Sequence, residues 1–256
     1  MSSSTKAKLI FSVPPPDGER AYHHTDRDPV TGENERNYGS EEKEVVVENL
    51  RGKEDSTTLD TAGFQLFHGP AKHTSFATDE DIYREYYPES IELLKELTGA
   101  SRVVLFDHSK HTCTQTLLHL LTHSSTNLAV RRRRPDQIGD SPQTRQPVAG
   151  VHVDQTLKSS IARVRRHLPE SDVPALLQRR FQIINLWRPI SHPALDWPLG
   201  LCDYRSVDPK TDTFPLALIY PNSDYEGETM AVSYNEKQKW KYFRGVTPEE
   251  FILIKW

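Results

Sequence analysis

His152 and Asp154 stand two residues apart in the stretch Val151-His152-Val153-Asp154-Gln155-Thr156. In an extended segment, residues i and i+2 point to the same side of the chain. The imidazole and the carboxylate can therefore converge on one point. Together they are two thirds of the 2-His-1-carboxylate set that holds non-haem Fe(II) and leaves coordination positions open. The same spacing also suits a partly buried strand end at which the two side chains only hydrogen-bond to each other.

The elements that must position this pair follow it in the chain. Leu157, Ile161, Val164 and Leu168 recur at i, i+4, i+7 and i+11. That spacing predicts an amphipathic helix with Arg163, Arg165 and Arg166 off its apolar stripe, stopped by Pro169. A second short helix is predicted over residues 174–180. From Phe181 onward the pattern is β, with candidate strands over 181–187, 199–203, 216–220, 228–234, 239–243 and 251–256. These runs are short, rich in aromatic and β-branched residues, and separated by Pro, Gly, Asn and Asp. Several such strands in succession predict a sandwich or jelly roll.

Asn185, Trp187 and Arg188 fall on or beside the first of these strands. Asn185 and Trp187 share a face in a regular strand, and Arg188 points the other way. An Arg at a strand end suits a bidentate carboxylate contact, so Arg188 and Asn185 are the candidate co-substrate contacts. The competing expectation is an Arg188 ion pair with Asp196 or Asp203 that ties strands together. Trp197, Tyr220 and Tyr234 are expected to pack in the core.

The first 60 residues read as an irregular arm, because residues 14–44 are rich in Pro, Gly, Asp, Glu and Asn. Short strands are predicted at 8–13 and 44–50, and a turn with a short apolar segment at 60–67. Thr78-x-x-Asp81 starts a helix over 79–97, broken at Pro88, with Ile91, Leu94 and Leu97 facing the core. Gly99 should end it. A buried strand is predicted over 102–107.

Composition narrows the classes. The chain has 256 residues, enough for a single domain over 1–256, and a net charge of −4. Mean hydropathy is −0.66. The tetrad Arg131–Arg134 is one isolated basic run in an acidic chain, read as a solvated loop or as pairing with the N-terminal acids. No nucleic-acid partner and no membrane partner are expected, since no apolar run approaches the roughly 20 residues of a span. Cys113 and Cys202 are the only cysteines, which fits a reducing, cytoplasmic location. The sequence carries no signal for oligomeric state.

The surrounding motifs add a family resemblance. Gly150 to Thr156, Ile161-Ala162-Arg163-Val164-Arg165-Arg166-His167-Leu168, Asn185-Leu186-Trp187-Arg188-Pro189 and Asp196-Trp197-Pro198-Leu199 resemble the AsaB-type hydroxylase/desaturase family of fungal secondary metabolism. That family includes the fungal gibberellin desaturase and CmcJ-like proteins. Leu59-Asp60-Thr61-Ala62-Gly63-Phe64-Gln65, Tyr86-Tyr87-Pro88-Glu89, Thr98-Gly99-Ala100 and Phe106-Asp107-His108 are similar to its N-terminal half. The resemblance implies an α+β, mainly β fold: a double-stranded β-helix with N-terminal and inserted helices. It implies an oxidoreductase that uses Fe(II), 2-oxoglutarate and O2 on a small-molecule substrate. It also implies that His152 and Asp154 are the first two iron ligands.

The chain departs from the family in two places. Residues 110–130 have no counterpart and read as an atypical insertion, in which His119 and His123 have the i,i+4 spacing of some zinc ligands. The family's second ligating His and its carboxylate-binding Arg lie beyond the segment matching 251–255, so C-terminal strands are expected to be missing here. Three functions therefore stand side by side: an Fe(II)/2-oxoglutarate hydroxylase or desaturase, an impaired or inactive homologue, and a metal-dependent hydrolase using His152 and Asp154. His108, His167 and His192 are His residues of the right type to complete the triad, but none has a spacing that selects it.

Overall fold

Alternating apolar and charged residues build the first pair of strands. In the computed structural model, which describes residues 3–26, 28, 31, 33–74, 76, 79–106, 131–136, 145–220 and 226–256, β1 (Ser4–Val13) runs antiparallel to β3 (Gly39–Asn49). Phe11, Val45 and Val47 turn inward and are buried. Lys6–Glu44 and Lys8–Glu42 pair across the outer face. The expected irregular arm is thus largely two long strands. Its turn-rich composition belongs to the connection between them, which itself contributes β2 (Ala21–His24).

All six strands predicted after Phe181 are present: β6 (Ile184–Trp187), β7 (Leu201–Cys202), β8 (Thr213–Ile219), β9 (Glu226–Val232), β10 (Trp240–Tyr242) and β11 (Glu250–Lys255). With β4 (Phe64–His68) and β5 (His152–Val153) they form three sheets, ordered β1-β3-β10-β7, β4-β11-β6 and β2-β8-β9-β5. The first sheet packs on the third through Phe11, Val45, Val47, Trp240 and Val232. It packs on the second through Leu50, Phe64, Leu201, Phe243 and Ile252. The result is the jelly-roll core that the strand pattern predicts.

The far face of β4-β11-β6 is covered by a helix. Leu94 and Leu97 of α1 (Tyr87–Thr98) pack on Phe251, Leu253, Ile184 and Leu186. Pro88 does not break this helix as expected. The turn before it loosens instead to a π-turn, Ile82–Tyr86, which accommodates a ring that has no N–H and crowds the carbonyl four residues back. Gly99 ends the helix at φ +68°, its N–H donating to the Lys95 carbonyl, as a left-handed C-terminal stop requires.

Several expectations are corrected. Residues 102–106 form no strand; Val103 leans on the α1 cluster while Val104 stays exposed, so an apolar run here makes a packed connection. Helix α2 (Leu157–His167) is present, but Leu157 is 73% exposed. Its first turn is oriented by a buried capping box of Thr156 and Ser159, which outweighs the apolar stripe. The second helix, α3, is Val173–Leu177. Trp197 is half exposed rather than in the core, with a left-handed φ of 59°. Thr78, Asp107, His108 and the insertion at 110–130 lie outside the described residues.

Candidate metal centre

The His152–Asp154 pair lies where two sheets end. β5 is the last strand of one sheet and β6 the last strand of another. β5 is held on one side by β9, with His152 opposite Ala231 and Val153 opposite Met230. Thr229 Oγ1 donates to the Val153 carbonyl at 2.7 Å. Just beyond, Thr156 Oγ1 donates to Glu228, whose carboxylate is also engaged by Arg20. On the upstream side the Val151 N–H donates to the Ile10 carbonyl of β1 at 2.8 Å. Residues 151–156 are therefore clamped by β1 and by consecutive residues of β9. None of these partners has a local sequence signal, because each is a contact across strands.

The two side chains face each other. His152 Nε2 is 3.0 Å from Asp154 Oδ1, and His152 Nδ1 donates to the Gly150 carbonyl at 2.9 Å. That second bond keeps a proton on Nδ1, so Nε2 is the nitrogen that faces the carboxylate: it donates to Asp154 when the ring is protonated, and loss of that proton gives a metal-binding imidazole its lone pair. Donors about 2.1 Å from a shared ion and at about 90° to one another stand about 3 Å apart. The observed separation and donor types fit two adjacent positions on one divalent ion.

Each group perturbs the other. Both side chains keep more than a third of their surface open to water, 40% and 37%, yet protein surrounds them closely enough for desolvation to be the largest single influence on each. Burial pulls the imidazole down, but the Asp154 hydrogen bond and charge and the Gly150 carbonyl outweigh it, so His152 stands above its ordinary range. Burial likewise pushes Asp154 up, and the His152 bond and charge with the Asn185 amide hold it below the usual carboxylate range. The Arg131 charge acts in the same lowering sense on both groups.

The structure brings Asn185 to this pair and takes Arg188 away from it. Asn185 Nδ2 donates to Asp154 Oδ2 at 2.8 Å. Arg188 lies on the α1 side of the sheet, its guanidinium 5.0 Å from the Phe251 ring centre. Its Nη1 donates to the carbonyls of Gly69 and Pro248. Nor does it pair with Asp196 or Asp203: Asp196 is taken by Arg133, and Asp203 by Arg205. Arg133 also lies over the Trp197 ring, so that part of the basic run docks on the 194–198 loop and not on the N-terminal acids.

Among the described residues, no third His, Cys, Asp or Glu joins the pair. His167 stacks on Phe106, and His192 Nδ1 bonds the Pro193 carbonyl. Burial pushes the Cys202 thiol up to about 11, which disfavours the thiolate. A surface hollow of about 490 Å³ between Arg51, His68, Arg244 and Glu250 is at the other end of β11 from Asn185 and contains none of these groups. Among the described residues, no helix is long and apolar enough to cross a membrane.

Comparison with known proteins identifies the family of the chain. The family model described as "Oxidoreductase/YMDC permease-like domain" matches residues 9–256. The hydroxylase/desaturase efuI of Hormonema carpetanum is 32% identical over 220 residues, which cover 82% of this chain and 70% of that protein. The hydroxylase/desaturase CTB9 of Cercospora beticola is 32% identical over 223 residues, 84% of this chain and 65% of that protein. The Fe(II)/2-oxoglutarate-dependent dioxygenase nvfI of Aspergillus novofumigatus is 27% identical over 256 residues, 98% of this chain and 82% of that protein. A solved structure of the iron and alpha-ketoglutarate-dependent endoperoxidase NvfI superposes with a TM-score of 0.78 at 26% identity, covering 99% of this chain and 84% of that one. By a match that takes in nearly its whole length, this chain belongs to the oxidoreductase/YMDC permease-like domain family, and its relatives are the fungal hydroxylase/desaturases and Fe(II)/2-oxoglutarate-dependent dioxygenases.

Proposed function

We propose that this chain is an Fe(II)/2-oxoglutarate-dependent oxygenase, a hydroxylase or desaturase of a small secondary metabolite, working in the cytoplasm as a single domain over residues 1–256. The observation that carries the reading is the 3.0 Å approach of His152 Nε2 to Asp154 Oδ1, with Nδ1 already engaged by Gly150. His152 and Asp154 would hold the iron. When bound, iron with 2-oxoglutarate supplies activation of O2 for removing hydrogen from an unactivated carbon. The chain's own part is positional. The Gly150 carbonyl keeps a proton on His152 Nδ1, and β9 pairs with His152 and Val153, which fixes the strand that leads into Asp154. Both side chains keep more than a third of their surface open to solvent, which leaves the pair accessible.

The pair offers two donors, and 2-oxoglutarate offers two more through its 1-carboxylate and keto oxygen. A second reading, an impaired homologue, rests on the absence of a third protein ligand among the described residues. One experiment separates the readings. The purified chain is titrated with Fe(II) and 2-oxoglutarate without O2, and succinate is then measured after air is admitted. A metal-to-ligand charge-transfer band and succinate formation, both lost in His152→Ala, are expected. A flat spectrum with no succinate would establish the impaired homologue. Substrate hydrolysis that needs metal but no O2 would instead establish a hydrolase.

A further inference from the structure

We infer that Asn185 is a positioning residue for Asp154, holding one carboxylate oxygen so that the other is reserved for the ion. The inference rests on the proposed metal role of His152 and Asp154. It begins with the two oxygens of Asp154, which have different partners. Oδ1 faces His152 Nε2 at 3.0 Å, and Oδ2 accepts from Asn185 Nδ2 at 2.8 Å. The direction of the second bond is set by chemistry, because an ionised carboxylate only accepts and only the NH2 end of an Asn amide donates.

Asp154 needs such a tether. Its terminal torsion is broad and roughly two-fold, and its side chain is 37% open to water. Without a fixed partner the carboxylate could turn and present either oxygen, or both. Asn185 itself stands on firmer ground. It lies on β6 opposite Ile254 of β11, which β4 pairs on its other side. Its strand neighbour but one, Trp187, packs into the interior cluster around Phe64 and Phe243. Ile184 and Leu186 are pinned by the α1 cluster on the other face. A rigid sheet thus reaches across the seam to aim a ligand that stands on another sheet. Partners of this kind behind a metal ligand are typically worth about 10–100-fold in metal affinity.

The test is Mn(II) binding to the purified full chain, followed by the loss of the free Mn(II) EPR signal, for wild type, Asn185→Ala and Asn185→Leu. Leu keeps the side-chain volume against the interior, so it remains informative where Ala fails to fold. Circular dichroism and thermal unfolding without metal identify the folded variants. The expected result is a Kd for Mn(II) raised about 10–100-fold in the folded variant, with an altered EPR lineshape of the bound ion. A purely structural tie between sheets would lower thermal stability and leave Kd alone. A change in Kd below fivefold in a folded variant overturns the inference while leaving the iron reading in place. A wild type that takes up no Mn(II) overturns both.

Discussion

Phe251, Ile252 and Leu253 of β11 expose 1% of their surface or less, whereas His152 and Asp154 around β5 leave 40% and 37% of their side chains open. The two strands belong to one barrel and are held by different forces. β11 has a hydrogen-bonded neighbour on each side and cover on both faces, the interior cluster on one and α1 on the other. Such a strand is stabilised by apolar burial and reads as a continuous hydrophobic run. β5 has only two residues and one ladder partner, and is held by polar contacts from Thr229, Glu228, Ile10 and Asn185. A metal ligand cannot be sealed on all sides. Its strand gives up burial for access, and directional hydrogen bonds replace packing.

The contrast can be broken first at β11. Leu253→Ala removes a fully buried side chain from the cluster beneath α1 and is expected to lower unfolding free energy by about 2–5 kcal/mol. Urea denaturation measures it. A loss under about 1 kcal/mol would show that apolar burial is not what holds β11.

The next effect concerns how β11 is anchored at its start. Arg51 grips both oxygens of Glu250 at 2.6 and 2.7 Å. The Arg51 hydrogen bonds, opposed by burial, hold the Glu250 carboxyl below the usual carboxylate range. A lowered carboxyl contributes stability that is complete above its unfolded pKa, about 4.3, and is lost as pH falls through the folded value. Glu250→Gln should therefore be less stable than wild type by about 1–3 kcal/mol near neutrality. The gap should close as pH falls below about 4, which thermal unfolding across a pH series would reveal. A gap independent of pH would mean that packing, and not charge, anchors this end.

The smallest expected change sharpens the description of β5. Thr229→Val keeps the side-chain shape and removes the donor to the Val153 carbonyl. It should lower stability by about 1 kcal/mol and speed amide hydrogen exchange in the 151–156 segment selectively. Unchanged exchange there would show that β9 backbone pairing alone holds the strand.

The β half of the chain was legible because its signals are local. Short β-branched and aromatic runs between turn residues predicted all six strands from β6 to β11. The N-terminal half was less legible. Ionic pairs cover the outer face of β1 and β3, so strand length was hidden under a polar composition. Pro88 looked like a helix breaker, but it falls in the first turn of α1, just after the π-turn at Ile82–Tyr86, where a residue without an N–H is tolerated. At the site, Asn185 and Arg188 were both candidate co-substrate contacts. The alternation of strand faces separated them, but which face meets the metal pair depended on where the second sheet sits.

By itself the sequence determined that His152 and Asp154 share one side of an extended segment, because the side-chain repeat of a strand is two residues. It also determined that the residues after Phe181 would fold as short strands, because burial on one face demands that alternation. Only the tertiary structure decided that Asn185, 31 residues from Asp154 in the chain, would reach its carboxylate. That contact arises where the edges of two sheets approach, and no repeat within either strand records the distance between sheets.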